Sequence, residues 1–254
     1  MFNHEEIVTG MWGKDSSKKR LYIGVASSGK PEAEFEESLR RLQAYLLTET
    51  DLAVFIKFHN TSMLVTNRAN AVNEAVDSLS DYTLFIDDDM WFKPSVFKIL
   101  FSKINVYPII GCNYPTRGFP HFFTARHRDR GDRVLTHLLS KGEQEVDFIG
   151  FGFVLFRTEV LKDLTKPLFR MEEAYGEDVF FFDKVYEEKN IRPTISHDAS
   201  KLIGHITKRI ITYTEGRAND RKNMIIRDPS MEEAFGELGD LDIYDDLPNG
   251  INLE

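Results

Sequence analysis

Apolar positions in the first half of the chain come in short runs separated by helical repeats. Leu21-Tyr22-Ile23-Gly24-Val25-Ala26 is continuous and enters Ser27-Ser28-Gly29-Lys30-Pro31, which predicts a buried strand ending in a loop. Phe35, Leu39, Leu42 and Leu46 then recur every three or four residues, the spacing of one helix face. Leu52 to Phe58 reads as a second strand, and Thr66 is a candidate N-cap for a helix whose face carries Ala69, Val72, Val76 and Leu79. Tyr82 to Ile86 is a third strand and runs straight into Asp87-Asp88-Asp89. Pro94 suits the first turn of a helix through Leu100, and Val106 to Gly111 reads as a further strand.

Three strand–helix units in about 90 residues predict a parallel, three-layer α/β arrangement with right-handed crossovers. Open sheets of this kind bind ligands beyond the carboxyl ends of their strands, which is where the aspartate triplet falls. After residue 112 the pattern is less regular. It predicts short strands at Phe122 to Ala125 and Val134 to Leu139, an apolar stretch from Val146 to Phe156 with glycines at 150 and 152, and a helix from Thr158. A further helix is expected from about Glu177 to Glu188, and a strand over Arg192 to Ser196.

Composition narrows the class. The chain has 254 residues, 42% hydrophobic and 29% charged, enough for one large domain or two small ones with a real core. No apolar run reaches membrane-spanning length. Met1 to Lys19 is polar and shows no secretory h-region, and the single cysteine, Cys112, can form neither an internal disulfide nor a cysteine metal cluster. A reducing, cytoplasmic setting is the expectation. The net charge of −9 is concentrated in Asp228 to Glu254, which holds nine acids and no Lys or Arg; the rest of the chain is balanced. That tail is expected to be extended, or to dock through Phe235, Leu238, Leu241, Ile243 and Tyr244.

Several groups could carry chemistry. Three consecutive carboxylates repel one another unless a cation or water screens them, and alternation along a strand could set Asp87 and Asp89 on one side. Mg²⁺ or Mn²⁺ bound by one or two carboxylates and a phosphate would satisfy them; a solvated loop capping the next helix is the plainer reading. Gly176-Glu177-Asp178 opens an apolar helix, where an acid either caps the N-terminus or serves as a general base for a hydroxyl nucleophile. His197 and His205 could be ordinary packed histidines. Of the two, His205 in Leu-Ile-Gly-His-Ile has the better frame for a ligand.

Taken in order, the strand ending in the aspartate triplet and Met90, then Gly150-Phe-Gly152, then Gly-Glu-Asp opening a helix, then a downstream His, resemble a GT-A-type glycosyltransferase over roughly residues 20 to 207. The triplet matches the DxD motif of that family and Glu177-Asp178 its ED motif. Val65-Thr-Asn-Arg68-Ala-Asn70-Ala resembles its helix start near the nucleotide. The resemblance implies a three-layer, Rossmann-like α/β fold with a mixed, mostly parallel sheet and helices on both faces, and a UDP- or GDP-sugar donor held through its diphosphate by Mn²⁺ or Mg²⁺. Ser27, Arg68, Asn70, Asp87, Asp88, Gly150 and Gly152 would line the donor; Asp87, Asp89 and His205 would hold the metal. Asp178, with Glu177 beside it, would deprotonate the acceptor if the anomeric centre inverts. Two overlapping frames in the triplet leave the individual aspartate roles open. The absence of Gln-x-x-Arg-Trp after Asp178 argues against a processive synthase, and Gly111 to Asp132 looks most like small soluble transferases of bacteriophage or bacterial type. On this reading residues 1–20 are an extension, 21–112 the nucleotide-sugar half, 113–222 the acceptor half and 223–254 the acidic tail.

Arg117, Arg126, Arg128, Arg130 and Arg133, interleaved with Phe119, Phe122 and Phe123, form a basic stretch, and Lys201, Lys208, Arg209, Arg217, Arg221 and Lys222 form a second. They could grip a DNA acceptor carrying a hydroxymethylated, flipped-out base, or bind the donor diphosphate, or make surface ion pairs. Two other functions fit the same residues: a nucleotidyltransferase, for which Ser27-Ser28-Gly29-Lys30 is only a faint loop signature, and a non-catalytic nucleotide- or cation-binding module.

Overall fold

The computed structural model describes residues 17–27, 29–118, 120–128, 133–171 and 176–207, with the backbone of 210–212. Its first half follows the apolar pattern. Strand β1 (Lys19–Ala26) leads to helix α1 (Ala33–Glu49), β2 (Leu52–His59), α2 (Leu64–Asp77) and β3 (Tyr82–Asp87). β4 (Met90–Phe92), α3 (Pro94–Lys103) and β5 (Ile109–Gly111) follow. β5 starts later than expected because Val106 lies exposed in the turn after α3. The second half adds β6 (Glu143–Glu145), β7 (Phe153–Arg157), α4 (Glu177–Lys189), β8 (Thr194–Ser196), the short α5 (His197–Ser200), β9 (Ile203–Ile206) and β10 (Ile210–Thr212).

Among the described residues, seven strands form one sheet in the order β2-β1-β3-β7-β5-β8-β6. Five run the same way, while β7 and β6 run against them. Alternate residues of each strand face opposite layers, so Leu21, Ile23 and Val25 pack with Phe35, Leu39 and Leu42 of α1 and Phe97 and Leu100 of α3. Tyr22 and Phe85 point the other way, into a layer with Ala71 and Val72 of α2 and Phe181 and Phe182 of α4. Phe151 and Phe156 join those α4 rings, with Phe151–Phe181 centroids 5.1 Å apart. Aromatic side chains therefore weld the second half of the chain to the first across the sheet.

Other local expectations are corrected as well. Helix α2 begins at Leu64, so Thr66 lies inside it; Thr61 instead closes the preceding turn by donating its amide to Asn67 Oδ1 at 2.8 Å. Residues 122–125 and 134–139 form no strands, only isolated bridges of Pro115 with Phe123 and of Arg126 with Arg133 and Phe148. Thr158 opens a four-residue 3₁₀ turn rather than an α-helix, its hydroxyl held by Thr83 and Ser80. A second sheet, β10-β9-β4, had no local signal, because its strands are only three or four residues long.

Candidate active site

β1, β3 and β5 end at one edge of the sheet, and β7, running antiparallel to β3, begins there with Phe153 opposite Ile86. Ser27, the aspartate triplet, Tyr114 and Gly150-Phe151-Gly152 consequently meet at that edge. A turn at Asp88-Asp89 joins β3 to β4 and breaks the alternation that was expected to align Asp87 with Asp89. Each carboxylate finds its own partner instead. Asp87 accepts from Arg68 Nη2 at 3.0 Å on both oxygens, and Asp88 Oδ2 accepts from Ser27 Oγ at 2.7 Å. Asp89 lies between His205 Nε2, 3.4 Å from Oδ1, and Arg117 Nη1, 2.9 Å from Oδ2. Separate counter-groups relieve the repulsion within the triplet.

The small sheet delivers His205. β9 pairs with β4 so that His205 sits opposite Met90, and the Ile206 amide donates to the Asp89 carbonyl at 2.7 Å. His205 Nδ1 donates to the Pro115 carbonyl at 2.9 Å, which turns Nε2 toward Asp89. Burial alone would lower the imidazole pKa, but the hydrogen bond and charge of Asp89 outweigh it and raise it. For Asp89, burial acts upward, and His205 and then Arg117 pull the pKa below its usual value.

Among the described residues no three His, Cys, Asp or Glu side chains form a group able to hold a metal, so Asp87, Asp89 and His205 do not assemble as a three-ligand set. Asp87 is taken up by Arg68. Asp89 and His205 alone are compatible with one ion. Their 3.4 Å separation is close to the roughly 3 Å between neighbouring donors on a metal with bonds of about 2.1 Å. The carbonyl-held Nδ1 is the usual support for a ligating imidazole. Two protein donors suit Mg²⁺ or Mn²⁺, which keep most of their shell for water and phosphate oxygens.

Arg68 is 5% exposed and joins three elements. From α2 its Nη2 reaches Asp87 at the end of β3, its Nη1 contacts Glu177 at the start of α4, and its guanidinium lies 4.8 Å from the Phe151 ring. A planar fork suits two carboxylates at once. Burial would lower the Arg68 pKa, and the charges of Asp87 and Glu177 reverse that and raise it. Burial raises Asp87, with Arg68 opposing and Asp89 adding to the rise. Glu177 is thus turned inward, while the next residue, Asp178, is only half-buried and accepts the Val179 amide on Oδ1 at 2.8 Å. Asn70 lies on the exposed side of α2. The buried amide is Asn67, which donates to the carbonyls of Ser27 at 3.2 Å and Thr61 at 3.1 Å. Its place on the stripe with Ala71 and Ala75 was the sequence signal for a polar group inside the core.

Tyr114 had no comparable signal, yet it is central. Its buried hydroxyl accepts the Gly152 amide at 2.6 Å, and its ring meets His205 edge-on with centroids 5.3 Å apart. A Cβ at Gly150 or Gly152 would lie 2.3 or 2.5 Å from that hydroxyl. The two glycines therefore make room for a phenol. Burial, reinforced by the Asp87 charge, pushes the Tyr114 pKa well up, so it stays a neutral wall between Asp87, His205 and the start of α4.

The basic stretch divides. Arg117 reaches Asp89, at the centre of the site. Arg126 and Arg128 lie 5.5 and 5.6 Å from the Phe148 ring, Arg128 also pairs with Asp183, and Arg133 covers Phe122 at 4.8 Å. Phe122 and Phe148 thus stack with the protein's own cations. Phe123 is fully buried. Arg130, Ser28, Phe119, Lys208, Arg209, Arg217, Arg221, Lys222 and the acidic tail lie outside the described residues.

No protein-family model matches the chain, and neither does any curated protein sequence. Among solved structures, A197 from STIV is 18% identical over 76% of this chain and 93% of its own, with a TM-score of 0.51. S. aureus TarS 1–349 in complex with UDP-GlcNAc is 19% identical over 71% of this chain (TM-score 0.43), and GalNAc-T7 with UDP, GalNAc and Mn²⁺ is 12% identical over 76% (TM-score 0.47). The chain spans 56% and 45% of those two proteins. The likeness to A197 runs through nearly all of that protein and is a likeness of fold. With β3 ending in the aspartate triplet, β7 inserted antiparallel beside it and helices on both faces, the chain has a mixed, mostly parallel three-layer α/β fold that it shares with A197.

Proposed function

We propose that this protein is a metal-dependent glycosyltransferase that moves a single sugar from a UDP- or GDP-sugar to an acceptor hydroxyl. The observation that supports this reading most is the linkage at one sheet edge: Asp89 with His205, and Asp87 through Arg68 with Glu177, whose neighbour is Asp178. An ion between Asp89 and His205 would neutralise charge growing on the leaving diphosphate. Asp87, Asp88 and Ser27 would border the nucleotide, with Arg68 fixing Asp87 from behind. Asp178 would take the acceptor proton on Oδ2, since Oδ1 is held by the Val179 amide. The acceptor oxygen then bonds to the anomeric carbon as the bond to the diphosphate breaks, its electron pair leaving with the diphosphate, and the centre inverts. Residues 21–112 would serve mainly the donor and 113–222 the acceptor. A reducing cytoplasm suits the one cysteine, which is buried and unpaired.

For the acceptor, a hydroxymethylated base in DNA draws support from the number of arginines between 117 and 133, while the internal partners of Arg126 and Arg128 weigh against it. Any other hydroxyl compound fits the same base. The test is a panel of UDP- and GDP-sugars with Mn²⁺ or Mg²⁺. One donor should be turned over to nucleoside diphosphate, chelator should stop it, and D178N should cut turnover about 10²–10⁴-fold while donor binding persists. A binding module would ignore D178N, and a nucleotidyltransferase would release pyrophosphate from a nucleoside triphosphate. Absence of donor binding together with indifference to chelator would reject the proposal.

A further inference from the structure

The cations at the site differ in their freedom to move. Arg68 is buried and shared by two carboxylates, and His205 is fixed through Nδ1 to the Pro115 carbonyl. Arg117 is held on one side only. Its side chain is 61% exposed, on the loop after β5, while the Asp89 side chain it contacts at 2.9 Å is 17% exposed. Unlike Arg126, Arg128 and Arg133, it has no aromatic ring beneath it among the described residues.

Asp89 consequently has a cationic or proton-donating partner on each oxygen. A divalent ion arriving at that carboxylate meets a guanidinium already there, and like charges on one anion repel unless a further anion lies between them. A diphosphate is such an anion, and a guanidinium binds phosphate oxygens in its own plane. We infer that Arg117 is a counter-ion that changes partners: it neutralises Asp89 while the donor is absent and turns to the diphosphate when donor and metal enter together. Arg117 thus belongs to the donor rather than to the acceptor, and binding of ion and nucleotide becomes coupled, because each removes the obstacle to the other. This inference rests on the donor reading above.

The experiment uses the full chain and three probes: Mn²⁺ alone, followed by electron paramagnetic resonance of the free ion, and UDP and GDP titrated calorimetrically at saturating Mn²⁺. R117A should bind Mn²⁺ alone about fivefold more tightly, the worth of one lost surface ion pair. It should bind the nucleotide that wild type prefers roughly ten- to a hundredfold more weakly, the worth of a hydrogen bond to a charged group. R117K should fall between the two, since it keeps the charge without the fork. Circular dichroism should be unchanged for a side chain this exposed. Opposite movement of the two affinities supports the exchange. If R117A leaves both unchanged, or weakens both, the exchange is refuted while the donor reading stands. If wild type binds neither Mn²⁺ nor nucleotide, the donor reading itself fails.

Discussion

Substituting Gly150 by Ala isolates the packing that holds the site wall. The new Cβ would sit 2.3 Å from Tyr114 Oη, 2.9 Å from its Cζ and 3.2 Å from Thr124 Cγ2. Gly150 is outside the left-handed region, so the cost is contact rather than backbone strain. An unstrained heavy-atom contact lies near 3.5 Å, so the phenol must retreat by about 1 Å. That shift loosens its 2.6 Å bond from Gly152 and its edge contact with His205. Overpacking costs about 1–3 kcal/mol, and the weakened hydrogen bond adds about 1 kcal/mol. G150A should therefore lose about 2–4 kcal/mol in urea unfolding. Y114F removes the oxygen that collides, at a cost of about 1–3 kcal/mol for the unpaired Gly152 amide. In the Y114F background, G150A should cost at least about 1 kcal/mol less than it does alone. Additivity of the two changes to within about 0.5 kcal/mol would refute the steric account.

Further outcomes follow from the buried charges. R68M leaves Asp87 and Glu177 facing each other without their cation and should cost about 3–5 kcal/mol, whereas R68M/D87N/E177Q should recover most of that loss; a triple variant no more stable than the single one would exclude charge as the cause. His59 and His197 are both buried, and burial is the main cause that lowers each pKa. Protons then bind these two sites more readily in the unfolded chain, so their contribution to stability falls as pH drops from about 6.5 toward the depressed folded values and levels off below them, while His205, with its raised pKa, acts in the opposite sense. H197Q, whose amide can replace Nε2 toward Gln144 Oε1, should lose less melting temperature than wild type between about pH 7.5 and 5.5. An unchanged slope in H197Q would show that other groups govern it.

What the chain encodes by itself is local. The continuous apolar run Leu21 to Ala26, and the spacing of Phe35, Leu39, Leu42 and Leu46, bury in the structure as the pattern predicts, because such patterns depend only on residues close together in the chain. The aspartate triplet at the end of β3 and the start of α4 at Glu177 were legible for the same reason. Of their partners, only His205 was legible beside Asp89, and that through the family resemblance; Arg68 as the shared counter-ion of Asp87 and Glu177 had no signal. His205 reaches Asp89 through the register of β9 on β4, and Arg68 meets Glu177 only because α2 and α4 pack on the same face of the sheet. Tyr114 fills a space defined by two glycines 36 and 38 residues further along the chain. Such contacts depend on strand order and sheet register, which no short window of residues contains; the tertiary structure alone decided which neighbour each charge would have.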